Sequence, residues 1–185
     1  MGMSHTHFFW ILLLLFAIER LAELRSAKRN FRSLLERGGR EFGAAHYPAI
    51  VVMHVAFFTS LVTEFVLRGA PLAPFFLVPL FLLTAAQLLR LWARRTMSTR
   101  WTARIVVIPG EQLVTKGPFR FFAHPIYVAV VLELFSLPLI FGLYWTCLIF
   151  SILNATMLLF IRIPCERAAL AWSQATQEND VPMET

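Results

Sequence analysis

Long apolar runs are the feature that most constrains what this chain can become. Ala49 to Leu67, Phe75 to about Trp92, and Val128 to Ile161 are predominantly apolar, the last with a break near Leu137-Pro138-Leu139-Ile140-Phe141-Gly142. A helix crosses the hydrocarbon of a bilayer with about 20 apolar residues, and only a helix or a closed barrel satisfies its backbone there. A shorter run, Phe8 to Ile18, continues into Glu19-Arg20-Leu21-Ala22-Glu23-Leu24. It lacks a basic leader and an Ala-x-Ala site, so it reads as a retained helix rather than a signal peptide. With 58% hydrophobic and 15% charged residues, against the quarter charged of ordinary soluble domains, the chain reads as an all-α integral membrane protein with about five transmembrane helices. Its 185 residues form one domain, with 1–92 as scaffold and 93–185 as the chemical part.

Local signals place the ends of these helices. Leu21, Leu24, Ala27, Phe31, Leu34 and Leu35 recur at helical spacing among Arg25, Lys28, Arg29, Arg32 and Glu36, predicting an amphipathic helix on or leaving the interface. Gly38-Gly39 stops it, and Pro48 opens the second helix as a first-turn proline. After a tight turn at 68–74, a third helix runs to about Trp92, and Ala93 to Phe122 forms the longest polar stretch. A fourth helix starts near Pro125, a fifth covers Tyr144 to Ile161, and a short polar tail follows. Seven Lys or Arg lie between the first two helices and six between the third and fourth, but only Arg68 lies between the second and third. The positive-inside rule then puts the basic loops and the C-terminus in the cytoplasm and the N-terminus outside. The net charge of +6 sits beside apolar blocks, so membrane lipids rather than nucleic acid are its partners.

Two polar clusters interrupt this pattern. Gly117-Pro118-Phe119-Arg120-Phe121-Phe122-Ala123-His124-Pro125-Ile126-Tyr127 brings Arg, His and Tyr to the mouth of the fourth helix, and Arg162-Ile163-Pro164-Cys165-Glu166-Arg167 ends the fifth. A hairpin of two membrane helices brings both clusters to one face. Arg162 and Glu166, four apart on a helix, share a side; they either pair or hold the two ends of a zwitterion. His54, Glu64 and Glu133 lie inside apolar helices, where ionisable groups are functional candidates, although a structural hydrogen bond explains Glu133 equally well. Cys147 and Cys165 are too few for a disulfide framework or a zinc site, so no metal is expected.

From about Leu88 to Leu170 the chain resembles the isoprenylcysteine carboxyl methyltransferase family, on Gly117-Pro118-Phe119-Arg120, His124-Pro125-Ile126-Tyr127, Glu133 and Arg162-Ile163-Pro164-Cys165-Glu166. Arg100-Trp101-Thr102-Ala103-Arg104, with Gly38-Gly39, Glu41 and His46-Tyr47-Pro48, is similar to a bacterial branch that includes alkylresorcinol and alkylpyrone O-methyltransferases. The resemblance implies S-adenosylmethionine in a cytoplasm-facing pocket made by the last two helices and the C-terminal segment. Arg120, His124, Pro125, Tyr127 and Glu166 would line it, and Arg162, Glu166 and His124 would act in catalysis. Ala123, Ala129 and Arg167 depart from the family's usual Arg, Gly and acid.

Within that expectation, a carboxylate acceptor is ionised at pH 7 and needs only orientation, from Arg162, Arg100 or Arg104. A phenol, with a pKa of about 10, needs help from a nearby Arg or a base such as His124 or Glu166. Trp101 and Tyr127 offer aromatic walls to a sulfonium, Glu133 and His54 are further substrate candidates, and the lipid-like acceptor enters from the bilayer. A nicotinamide-dependent membrane reductase and a non-catalytic scaffold are the alternatives; the absence of a Gly-x-Gly dinucleotide loop argues against the first.

Overall fold

The structure, a computed structural model, describes residues 5–69 and 71–179. Helices α1 (His5–Glu36), α2 (Tyr47–Arg68), α3 (Leu77–Met97), α4 (Pro125–Ile140), α5 (Tyr144–Met157) and α6 (Ile163–Asn179) make up the architecture. Three helical stretches, Ala44–Arg68, Leu77–Arg100 and Tyr144–Gln177, are long and apolar enough to cross a membrane, and Pro125–Ile140 is a shorter apolar helix. Val52, Leu67, Phe81 and Phe160 are 66, 81, 71 and 75% exposed, which suits a surface facing lipid rather than water.

The structure answers one question that the sequence leaves open, the continuity of the first helix, and changes three expectations. Helix α1 is one rod of 32 residues, so the apolar run and the amphipathic segment after it are the same helix. Nothing between His5 and Glu36 is Gly or Pro; the helix ends at Gly38, whose φ of +84° only glycine adopts freely, with Gly39 N–H donating to Leu34 O. Of the changed expectations, first, α3 reaches Met97 and takes Arg94 and Arg95 into its last turn. Second, the fold is not purely helical: β1 (Arg40–Phe42) pairs antiparallel with β2 (Ile105–Val107), Glu41 opposite Val106. The β-branched run at 105–107 makes half of this ribbon.

Third, the expected polar tail after Ile161 is helix. A single π-helical turn, Leu158–Arg162, joins α5 to α6. Pro164 has no N–H to donate and its ring crowds the carbonyl four residues back, so the helix widens just before it rather than breaking.

The apolar core lies between α1, α2, α4 and α5. Phe9 stacks on Phe65 with ring centres 3.7 Å apart, and Phe141 meets both edge-on at 5.0 and 5.7 Å. Glu64 on α2 accepts the N–H groups of Thr146 (2.8 Å) and Trp145 (3.3 Å), supplying an anion to the start of α5.

Beside this core a buried ion network ties three helices together. Arg90 on α3 donates to Glu23 on α1 at 2.9 Å and to Glu133 on α4 at 3.0 Å. Arg20 also reaches both carboxylates, at 2.8 and 3.2 Å, and Arg94 donates to Glu23 at 2.7 Å. Replacing Arg90 by Met leaves two buried carboxylates short of a partner, a loss of about 3–5 kcal/mol. The exposed Arg37 side chain pairs with Glu111, and Arg37→Ala costs about 1 kcal/mol or less. Unfolding of both variants in detergent checks the difference.

Candidate active site

The start of α4 and the first turn of α6 meet as the two polar clusters require. Lys116 to Phe122 folds as a tight turn with Pro118 buried, and Pro125 begins α4 at a position that needs no N–H. His124 immediately precedes the helix and Tyr127 stands in its first turn, their rings stacked with centres 5.1 Å apart and 15° between planes. From α6, Glu166 accepts the Tyr127 hydroxyl at 2.7 Å and lies 3.5 Å from His124 Nδ1.

Arg162, in the π turn, places its guanidinium 5.8 Å from the Tyr127 ring centre and donates to Ala103 O at 3.2 Å. Among the described residues no ion pair joins Arg162 to Glu166. Tyr127 links them instead, its ring beneath one and its hydroxyl on the other. A helix rises about 6 Å over four residues, roughly the span from the ring to what its hydroxyl touches. The result is a carboxylate, a cation and two aromatic faces at one junction, able to grip a small zwitterion or cation.

The other expected site residues divide. Arg120 is exposed beside this junction with no ion pair among the described residues. Arg100 donates to Gln112 O at 2.8 Å and pairs with Glu111 at 3.1 Å, holding its own loop. Trp101 is buried under the Arg94 guanidinium at 4.5 Å, and its carbonyl accepts Asn30 Nδ2–H at 2.8 Å. Arg104 pairs with Glu41 at 2.7 Å and lies over the rings of Tyr47 and Phe31. Glu133 is spanned by Arg90 and Arg20, and His54 Nδ1 bonds to Ile50 O at 2.8 Å within its own helix.

One residue that the sequence offered only within the His46-Tyr47-Pro48 motif, with no site role, stands beside this junction. His46 ends the short 3-10 turn before α2, with its Nε2 buried and unpartnered. A Cβ on Gly43 would lie 2.0 Å from His46 Cε1 and 2.8 Å from Cys165 Sγ, so the imidazole packs against the turn of α6 that carries Glu166. More than a hundred residues separate His46 from Glu166, and nothing in their spacing announces the approach. The ribbon brings it about: Phe42 meets Trp172 of α6 at 5.4 Å, and Arg40 lies 5.0 Å over the same ring.

Residues 77–172, just over half of the chain, match the isoprenylcysteine carboxyl methyltransferase (ICMT) family, and the chain belongs to that family. Membership implies a membrane methyltransferase. "Uncharacterized protein YpbQ" of Bacillus subtilis (strain 168) is 38% identical over 162 residues, covering 88% of this chain and 96% of that protein. An "Uncharacterized protein" of Haemophilus influenzae is 22% identical over 153 residues, covering 82% of this chain and 88% of its own length. No solved structure matches the chain.

Tyr127→Phe deletes the hydroxyl that joins α4 to α6. A hydrogen bond to a charged group contributes about 1.5–3 kcal/mol, so amide exchange should speed up through 163–172 while the network around Arg90 stays protected. Hydrogen-exchange mass spectrometry of the two proteins reads this directly.

Proposed function

We propose that the protein is an S-adenosylmethionine-dependent O-methyltransferase acting on a carboxylate or a phenol or enol oxygen of a lipid-like acceptor, either a prenylcysteine or an alkylresorcinol or alkylpyrone. It works from a bacterial inner membrane, with five helical rods crossing, the N-terminus outside and the site facing the cytoplasm. The observation that carries this reading is the union of Tyr127, His124, Arg162 and Glu166 from two separate motifs at one junction.

These residues fit the cofactor's chemistry. The Arg162 guanidinium suits an amino acid's carboxylate, the Glu166 carboxylate suits its ammonium, and the stacked His124 and Tyr127 faces suit a neighbouring sulfonium. Pro125 sets the start of α4, and Arg120 stands free at the rim for a further anionic contact. When bound, S-adenosylmethionine supplies an electrophilic methyl group on a cationic sulfur. What the chain must then do is align the acceptor oxygen behind that carbon, and such positioning accounts for much of the rate.

The segment from Ala103 to Ile108, with β2 inside it, is tied to this part of the molecule by Arg162 donating to Ala103 O at 3.2 Å and by Ser173 Oγ–H donating to Ile108 O at 3.5 Å. An apolar groove of about 860 Å³ runs along the lipid side of α2 from Val51 to Arg68, starting little more than one helical turn beyond His46. It supports an acceptor whose tail stays in the bilayer.

Membranes carrying the protein are to be given methyl-labelled S-adenosylmethionine with a prenylcysteine analogue or a long-chain alkylresorcinol. Label enters one lipid, and His124→Ala and Glu166→Gln each lower the rate at least about a hundredfold. No label in either lipid, together with no cofactor binding, removes the methyltransferase reading.

A further inference from the structure

We propose that His46 is the proton acceptor of this site and that the acceptor is accordingly hydroxylic, a phenol or enol on a long alkyl chain, rather than a carboxylate. The proposal rests on the methyltransferase reading above.

His46 Nε2 is buried without a partner, and an orphaned buried polar atom carries a penalty that a bound group relieves. The ring is held in place: Gly43, at φ +65°, leaves room for it where a Cβ would lie 2.7 Å from Nδ1 and 2.0 Å from Cε1. Cys165 faces it from α6, the charge of Arg162 reaches it from the π turn, and Tyr47 beside it in the chain is covered by Arg104, itself paired with Glu41.

The bases expected from sequence are already engaged with each other. Glu166 Oε2 takes the Tyr127 hydroxyl and stands against His124 Nδ1. Of the two imidazoles, His46 is the one whose nitrogen, Nε2, is both buried and without a hydrogen-bond partner among the described residues.

The step balances without a further reagent. The acceptor O–H breaks and its proton passes to His46 Nε2, while the oxygen's electron pair forms the bond to the methyl carbon. The carbon–sulfur bond breaks with its electrons going to sulfur, leaving S-adenosylhomocysteine, a methyl ether and a proton that His46 later gives to water. A neutral imidazole nitrogen aimed at the acceptor oxygen is a suitable general base for a hydroxylic proton. A carboxylate acceptor brings no proton at pH 7, so an unpartnered base in the site has a task only for the hydroxylic class.

The test uses the full chain in lipid nanodiscs with a long-chain alkylresorcinol, comparing the parent with His46→Ala and His46→Asn. Calorimetric binding of S-adenosylmethionine should be unchanged in both variants, showing the site intact. Methyl transfer at neutral pH should fall about a hundredfold or more and recover as pH rises toward the phenol's own ionisation. A nitro-substituted resorcinol, already ionised at neutral pH, should be methylated at close to the parent's rate by both variants. Variants that bind cofactor yet keep the parental rate and pH profile on the alkylresorcinol overturn the role of His46. Failure of the parent itself to bind S-adenosylmethionine overturns the methyltransferase reading, and this proposal with it.

Discussion

Five charged side chains on three helices, with Glu23, Arg90 and Glu133 buried and Arg20 and Arg94 half-buried, hold the rest of this structure in register. Arg20 and Glu23 come from α1, Arg90 and Arg94 from α3, and Glu133 from the middle of α4. In a bilayer two helices gain little from burying apolar surface against each other, since lipid tails are equally apolar. Charges that lose water have no such indifference; each must find an opposite charge or cost several kcal/mol. The network therefore selects one rotation and one depth for α4 relative to α1 and α3, where leucines alone would permit sliding. His124 and Tyr127 lie on the turns of α4 that this anchoring positions.

The second half of the junction depends on the π turn. An uninterrupted α-helix through Leu158–Arg162 would meet Pro164 with a missing donor and a crowded carbonyl. Widening by one residue relieves both and lets the helix continue into α6, so that Arg162 and Glu166 both reach Tyr127. The proline that looks like a helix end in the sequence is thus the reason the helix has its irregular turn beside the site. The ribbon of β1 and β2 then clamps α6 through Trp172 and carries the segment with His46 to it.

Much of this was readable from the residues alone. Apolar runs and their flanking Pro and Gly marked α2 to α5, because helix length and helix ends follow from local rules. His124, Tyr127, Arg162 and Glu166 were paired in advance, because a hairpin of apolar helices leaves its two ends few places to go. Sequence was less informative where pairing is long-range. The partners of Glu133 could not be chosen, since Arg20 and Arg90 are 113 and 43 residues away. Arg100, Trp101 and Arg104 looked like free site groups, yet their loop consumes them in contacts to Glu111, Arg94 and Glu41. The three-residue ribbon was invisible because neither strand is long enough to alternate, and without it His46 could not be brought to Glu166.

On the proposed function the protein does not need to enclose a long-chain molecule. The bilayer already dissolves the tail, so the protein must recognise only the polar head and leave an open path for the rest. The geometry matches that division. His46 stands just before α2, His124 just before α4 and Arg162 in the π turn between α5 and α6. The groove that begins near Val51 is apolar and open toward lipid. Binding a head at the interface while the tail remains in its own solvent keeps the acceptor from being held too tightly in its ground state. Interaction energy is then available where it raises the rate, at the oxygen and the methyl carbon.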